Sequence, residues 1–359
     1  MPDRESRDPS EVIAAETVAG LSAFVAKVLD QLSLGAWLPS AFLTVAGAFL
    51  LQFRAQRSLN LADAAASLTK HPATVLILAI PVLISATLIT QAFSFEAIRV
   101  LEGYWHRPGV ASIARNLMIR WNVRRKSSLQ TRRMKAHEKA FAHARPRLLR
   151  GNIAPEVVNA LEARALGNPV PSLNPAQRAQ FEKMNWRSKC NAWELARIDH
   201  LLAAAENYPE DSRILPTRLG NLMRATEDRL ILGGEDLEGF ALRQGDLASE
   251  RIKQQHDQFR ARLDMYCILV FVSGLLAVLT LALLLGRSIN IWAILALFGG
   301  FAAVSFSSYQ AAIASAKGYC VALKEMDRAS RLSMSVGQAP PQVVGKPTRR
   351  WLRIGDHSR

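Results

Sequence analysis

The sequence predicts an all-α membrane protein: four transmembrane helices in two hairpins, with a cytoplasmic helical domain inserted between them. Three observations predict it. Four runs of more than twenty residues carry no charged side chain, the chain between the second and third runs is dense in charge, and no segment alternates as a half-buried strand would. The expected order is an N-terminal cytoplasmic segment with an amphipathic helix (1–30), a first hairpin (31–95), the helical domain (96–263), a second hairpin (264–316) and a basic cytoplasmic tail (317–359).

The totals agree with so uneven a chain. Half of the 359 residues are apolar, yet 21% are charged, and the net charge is +15. Cys190, Cys267 and Cys320 form no C-x-x-C pair, so a reducing compartment is expected. The first thirty residues hold six acids against three bases, which is not a signal-peptide pattern. Within them Leu21, Phe24, Val25, Val28 and Leu29 recur at helical spacing, the stripe of an interfacial helix or of an extension of the first span.

The spans follow in order. Gln31 to Phe53, Pro72 to Phe95, Met265 to Gly286 and Ser288 to Ala316 each reach the ~20 apolar residues that cross a ~30 Å hydrocarbon layer. Pro39 and Pro81 fall inside the first two, where neighbouring helices can re-satisfy freed carbonyls. Lys and Arg concentrate at one set of span ends (Arg99, Arg107, Arg251, Lys253, Arg260, Arg262, Lys317, Lys324 and Arg328). The other ends hold only Arg54, Arg57, Lys70 and Arg287. The positive-inside rule then makes both termini and the middle segment cytoplasmic.

From Tyr104 to Arg150 the chain holds thirteen Lys or Arg and one acid, Glu138, with Trp105 and Trp121 among them. Arg120, Arg124, Arg125, Lys126, Arg132, Arg133 and Lys135 are the candidate contacts to anionic lipid headgroups, each worth about 1 kcal/mol beside a membrane. A solvated face is the bland reading. Nucleic acid is the rival ligand, less favoured because the segment adjoins a span. A short helix over Ile153–Leu166 ends at Gly167. A second starts at Pro175, with Asn174 and Gln177 as a capping box, and is expected to run to Asn207 before Pro209. Gly233 and Gly234 make a break, and Asp246 caps a last helix that continues into the third span.

Chemistry is sparsely signalled. The histidines show no i, i+4 metal pair, and there is no phosphate loop, dinucleotide fingerprint or nucleophile elbow. No catalytic residue, cofactor or metal is expected, and no enzyme. The spans carry no ionisable side chain of the kind coupled transport uses. Ser85, Thr87, Thr90, Gln91 and Ser94 leave a passive pore open, although such hydroxyls commonly bond back to their own helix. In the fourth span Gly299, Ala303, Ser307, Ala311 and Ser315 recur every fourth residue, a row that admits another helix closely, either within the chain or at a homo-oligomer seam.

The densest pattern is Tyr208 to Leu230. Pro216 and Thr217 start a helix with Leu219, Leu222, Met223, Thr226 and Leu230 on one side. Arg218, Asn221 and Arg224 lie on the other, either to brace neighbouring helices or to meet an anion or a cytoplasmic protein partner. Arg224 and Asp228 are spaced to pair. Gly220 costs about 1 kcal/mol against Ala in a helix, which suggests that something packs on its backbone. Arg218→Ala is expected to weaken folding or assembly. The pattern Tyr208-Pro209, then LPTRLGN (Leu215–Asn221), Arg224-Ala225 and Glu227-Asp228 resembles one recurring in a family of bacterial multi-span membrane proteins with no assigned activity. The resemblance covers about the last 150 residues and implies a bacterial inner-membrane location. Where that family continues with Tyr-Gly and Trp-Pro, this chain carries Gly233, Gly234 and Phe240.

Two functions are thus expected in order: a non-enzymatic membrane scaffold engaging a partner and anionic lipid, and a homo-oligomeric passive channel.

Overall fold

The computed structural model describes residues 34–69, 72–105, 109–230, 237–245, 248–287 and 289–337. The N-terminal stripe, the Gly233–Gly234 break, Asp246 and the Pro/Gly-rich tail lie outside the described residues. Among those described, every regular element is helical: α1 (Leu34–Gln56), α2 (Leu61–Thr69), α3 (Pro72–Glu102), α4 (Val110–Arg150), α5 (Pro155–Leu166), α6 (Pro175–Lys183), α7 (Ala192–Ala205), α8 (Arg218–Leu230), α9 (Leu237–Gly245), α10 (Glu250–Leu284) and α11 (Ile291–Gly337), with 3₁₀ turns at Trp186–Lys189 and Asp211–Arg213.

Four helices are long and apolar enough to cross a membrane, over Trp37–Gln56, Ile77–Glu102, Glu250–Leu284 and Ile291–Leu332. At 1.5 Å per residue the 35-residue α10 and the 47-residue α11 extend roughly 50 and 70 Å, well past a hydrocarbon layer of about 30 Å. The borders drawn at 95/96, 263/264 and 316/317 therefore fall inside continuous helices. Each apolar run simply grades into an amphipathic continuation. A short helix between the first two spans, α2, opens where the Asn60 side chain accepts from the Ala62 and Asp63 backbone N–H.

Three cores hold the chain together. The first joins α1, α2, α10 and α11 through Leu50, Phe53, Ala64, Val272, Leu276 and Ile294. Polar links are few there: Ser40 and Thr87 meet at 2.8 Å between α1 and α3, and the Ser305 hydroxyl donates to the Val270 carbonyl at 2.9 Å between α11 and α10. The second core packs Leu219, Leu222 and Met223 of α8 against Leu263 and Cys267 of α10 and Ala316, Tyr319 and Leu323 of α11. The third gathers Phe141, Leu148, Val157, Val158, Leu161, Trp186 and Ile198 from the end of α4, α5, the first 3₁₀ turn and α7. Burial at roughly 25 cal/mol per Å² of apolar surface is the main stabilising term in each.

One expected helix is in fact three elements. From Pro175 the chain does not continue to Asn207; α6 stops at Lys183, and Asn185 accepts from Arg187 N–H to start the 3₁₀ turn. Asn191 and Glu194 then form a second capping box that opens α7. The break turns Trp186 inward against Phe141, with ring centroids 5.4 Å apart.

Candidate functional site

Four elements meet around the start of α8, and its sequence explains how. Gly103, at φ +97°, ends α3 in a conformation that favours glycine, and the Pro216 ring lies against it. The Thr217 hydroxyl donates to the Glu102 carbonyl at 2.9 Å and accepts from Gly220 N–H at 3.0 Å, so one side chain caps α8 and ties it to α3. The backbone of Gly220 sits against the Glu102 carbonyl, where a Cβ would come within 1.9 Å of the oxygen. From α11 the Tyr309 hydroxyl reaches the backbone at Arg218 and Leu219.

Asn221 is buried, and both ends of its amide are used within its own chain. Its oxygen accepts from Leu215 N–H at 2.7 Å and its nitrogen donates to the Leu215 carbonyl at 2.9 Å. Asn122, buried on α4, donates to the Pro216 carbonyl at 2.9 Å. Nothing in the sequence singled out Asn122; its only signal is an asparagine inside a basic helix, where a buried polar side chain needs partners.

Arg218, Asn221 and Arg224 are therefore not brought to one surface. Arg224 bonds Glu227 at 2.6 Å and lies over the Tyr104 ring at 5.7 Å. Burial opposes its charge, but Glu227, Tyr104 and Asp228 outweigh that and hold the guanidinium above its usual pKa. Asp228 pairs with Arg213 instead of Arg224, because the second 3₁₀ turn brings Arg213 to both acids of the Glu227–Asp228 pair. Burial likewise raises the Tyr104 phenol. Arg218 is exposed and has no ion pair among the described residues. Truncating it to Ala removes no ion pair to any of these residues.

Two cavities flank α8 and differ in charge. On the α3 and α10 side, one of about 390 Å³ is lined by Arg99, Arg224 and Arg260 together with Glu102, Glu227 and Glu238, three cations to three acids. On the α4 and α7 side, one of about 430 Å³ is lined by Arg125, Arg218 and Lys317, with His200, Asn207 and Tyr208 and, among the described residues, no acid.

The seven bases singled out on α4 also divide. Arg120, Arg124, Arg132 and Lys135 are exposed. Arg125 is half-buried over the Trp121 ring at 5.1 Å and faces the second cavity. Lys126 turns inward, donating to the Pro209 carbonyl at 2.7 Å and to Asp211 at 2.6 Å. Arg133 is half-buried, its Nε without a hydrogen bond among the described residues. Ile113, Leu117, Met118 and Trp121 are exposed in the first three turns of α4, next to the exposed bases.

The small-residue row of α11 splits as well. Gly299, Ala303 and Ser307 face outward, Ala311 is half-buried and Ser315 is buried. The seam with α10 runs instead along Ile294, Ser305, Ala312, Ala316 and Tyr319. In α3 the Thr87, Thr90 and Ser94 hydroxyls bond back to carbonyls of their own helix. Among the described residues no three His, Cys, Asp or Glu side chains gather as metal ligands. No family model, curated protein or solved structure significantly matches the chain.

Proposed function

We propose that the protein is a non-enzymatic scaffold of a bacterial inner membrane, holding a helical cytoplasmic body against the lipid surface. In this reading α1 with α3, and α10 with α11, are two transmembrane hairpins, both termini are cytoplasmic, and α4 to α9 form the inserted domain. The Lys and Arg bias at the span ends supports the orientation.

The observation that carries the reading is the outward face of α4. Exposed apolar side chains (Ile113, Leu117, Met118, Trp121) and exposed bases (Arg120, Arg124, Arg132, Lys135) share it, a few residues after α3 leaves its apolar run. An interfacial helix needs both: apolar surface to enter the headgroup boundary and bases to meet anionic lipid. The remaining surface of the α4–α7 lobe is left for a cytoplasmic protein partner.

Hydrogen exchange of the full chain in nanodiscs tests this. Residues 110–135 should be better protected with phosphatidylglycerol present than in pure phosphatidylcholine. The gain should disappear when Arg120, Arg124, Arg132 and Lys135 are changed together to Gln. Equal protection in both lipids would defeat the lipid-contact reading. The outward Gly299, Ala303 and Ser307 favour one second reading, a homo-oligomeric passive pore in which this face meets another copy. Reproducible single-channel currents from purified protein in planar bilayers would replace the scaffold by that pore.

A further inference from the structure

The two cavities beside α8 set up a contrast in charge. In the one against α3 and α10, the three guanidinium groups share their space with three carboxylates. In the one against α4 and α7, Arg125, Arg218 and Lys317 converge from three helices, and among the described residues no carboxylate lines the wall. Like charges gathered at a partly enclosed surface raise the local potential and attract counter-ions, more strongly than in open water because the walls are of low dielectric. The chain balances its cations on one side of α8 and leaves them unbalanced on the other.

The rest of the wall fits an anion that has an organic body. Tyr208, Asn207 and His200 offer hydrogen-bonding groups, while Leu129, Leu222 and Ile313 supply apolar surface. Burial raises the Tyr208 phenol above its ordinary pKa, although Arg125 and Arg218 pull it back in part; the hydroxyl thus stays a donor at neutral pH. At about 430 Å³ the space is within the range of small-ligand pockets. Ile313 and Lys317 stand where the uncharged run of α11 closes at Ala316 and charged side chains resume.

We propose that this cavity is a binding site for a phosphate ester, with Arg125, Arg218 and Lys317 holding the phosphoryl oxygens and the apolar wall holding the organic part. Charge-assisted hydrogen bonds from guanidinium and ammonium groups suit that anion. The ester is either the headgroup of an anionic phospholipid or a free organophosphate. The site is separate from the outward face of α4 and does not depend on that face meeting the membrane.

The test uses the full chain in phosphatidylcholine nanodiscs, with the thermal midpoint followed by intrinsic fluorescence. One arm adds phosphatidylglycerol to the disc in graded steps; the other titrates sn-glycerol 3-phosphate into discs of phosphatidylcholine alone. A saturable rise in midpoint is expected in at least one arm. A rise in the first assigns the site to a lipid headgroup, and a rise only in the second assigns it to a free phosphate ester. Arg218→Gln with Lys317→Gln should raise the half-saturating concentration about tenfold or more, as losing ~1.4 kcal/mol does. Arg178→Gln with Lys183→Gln, exposed on α6 and outside both the cavity and the lipid-facing side of α4, should leave it unchanged. If the cavity double variant does not fold, Arg125→Gln replaces it. The proposal is overturned by no saturable rise in either arm, by an unchanged half-saturation in the cavity variant, or by an equal shift in the α6 variant.

Discussion

Gly220 and Glu102, 118 positions apart in sequence, are in backbone contact: a Cβ on Gly220 would sit 1.9 Å from the Glu102 carbonyl oxygen and 2.8 Å from its carbon. The joint between α3 and α8 is set by this approach, since neither atom belongs to a side chain that could swing away. The Thr217 hydroxyl then bonds the same carbonyl from the side.

Gly220→Ala should therefore be severely destabilising despite the better helix propensity of alanine. That propensity is worth about 1 kcal/mol in favour, against an overpacking cost of roughly 1–3 kcal/mol or more when rigid backbone must move. A lowered thermal midpoint in detergent, with increased hydrogen exchange at residues 99–103, is the expected result. A midpoint equal to wild type would show that α3 and α8 can part without cost.

Asn221 and Arg218 lie three residues apart on α8 in opposite environments, one buried and one exposed, and substitution should separate them. Asn221→Ala leaves the Leu215 N–H without its partner, while the Leu215 carbonyl keeps a 3.3 Å bond from the Asn122 amide. The one stranded N–H should cost about 1–3 kcal/mol. Arg218→Gln removes an exposed side chain with no ion pair and should stay within about 0.5 kcal/mol of wild type. Denaturation of the two variants side by side checks the order, and a larger loss for Arg218→Gln would reverse the assignment.

Much of this joint was visible in the sequence as residue types without their partners. The apolar side of α8 was readable because Leu219, Leu222, Met223 and Leu230 keep helical spacing, and the spans were readable because charge is absent from them. What packs on Gly220 was not, since Glu102 is fixed by the tertiary route of the chain. Arg224 pairs with Glu227 rather than Asp228 for a similar reason: Arg213 reaches Asp228 first, from a 3₁₀ turn that has no periodic signature. The second capping box, Asn191 to Glu194, was written in the sequence in the same terms as Asn174 to Gln177.

The α4–α7 lobe should lose stability in mild acid through His137. Burial, then Arg133 on its own helix and Arg187 on the 3₁₀ turn, push its pKa below 6.5, and Asp199 of α7 only partly opposes them. The unfolded chain thus takes up the proton first. Stability is full above the ordinary histidine value and falls as pH drops through it towards the folded pKa. The thermal midpoint of wild type should fall more between pH 7.5 and pH 5.5 than that of His137→Gln, in which the other histidines still titrate. Equal falls would remove His137 from the account.

Lys126 and Arg132 carry the same charge on the same helix, yet their environments assign them different work. The Lys126 ammonium is held by the Pro209 carbonyl and Asp211 and is only 14% exposed, so it docks the loop before α8 onto α4. Arg132 points outward. Lys126→Gln should speed hydrogen exchange across residues 208–216 and lower stability by about 1–2 kcal/mol, the loss of a charge-assisted bond and a stranded carbonyl. It should leave any phosphatidylglycerol-dependent protection of residues 110–135 intact. Arg132→Gln should do the reverse, reducing that protection with no change at 208–216. Identical exchange profiles for the two variants would mean that the basic run acts as an undivided charge, and burial would no longer tell which of its members face the lipid.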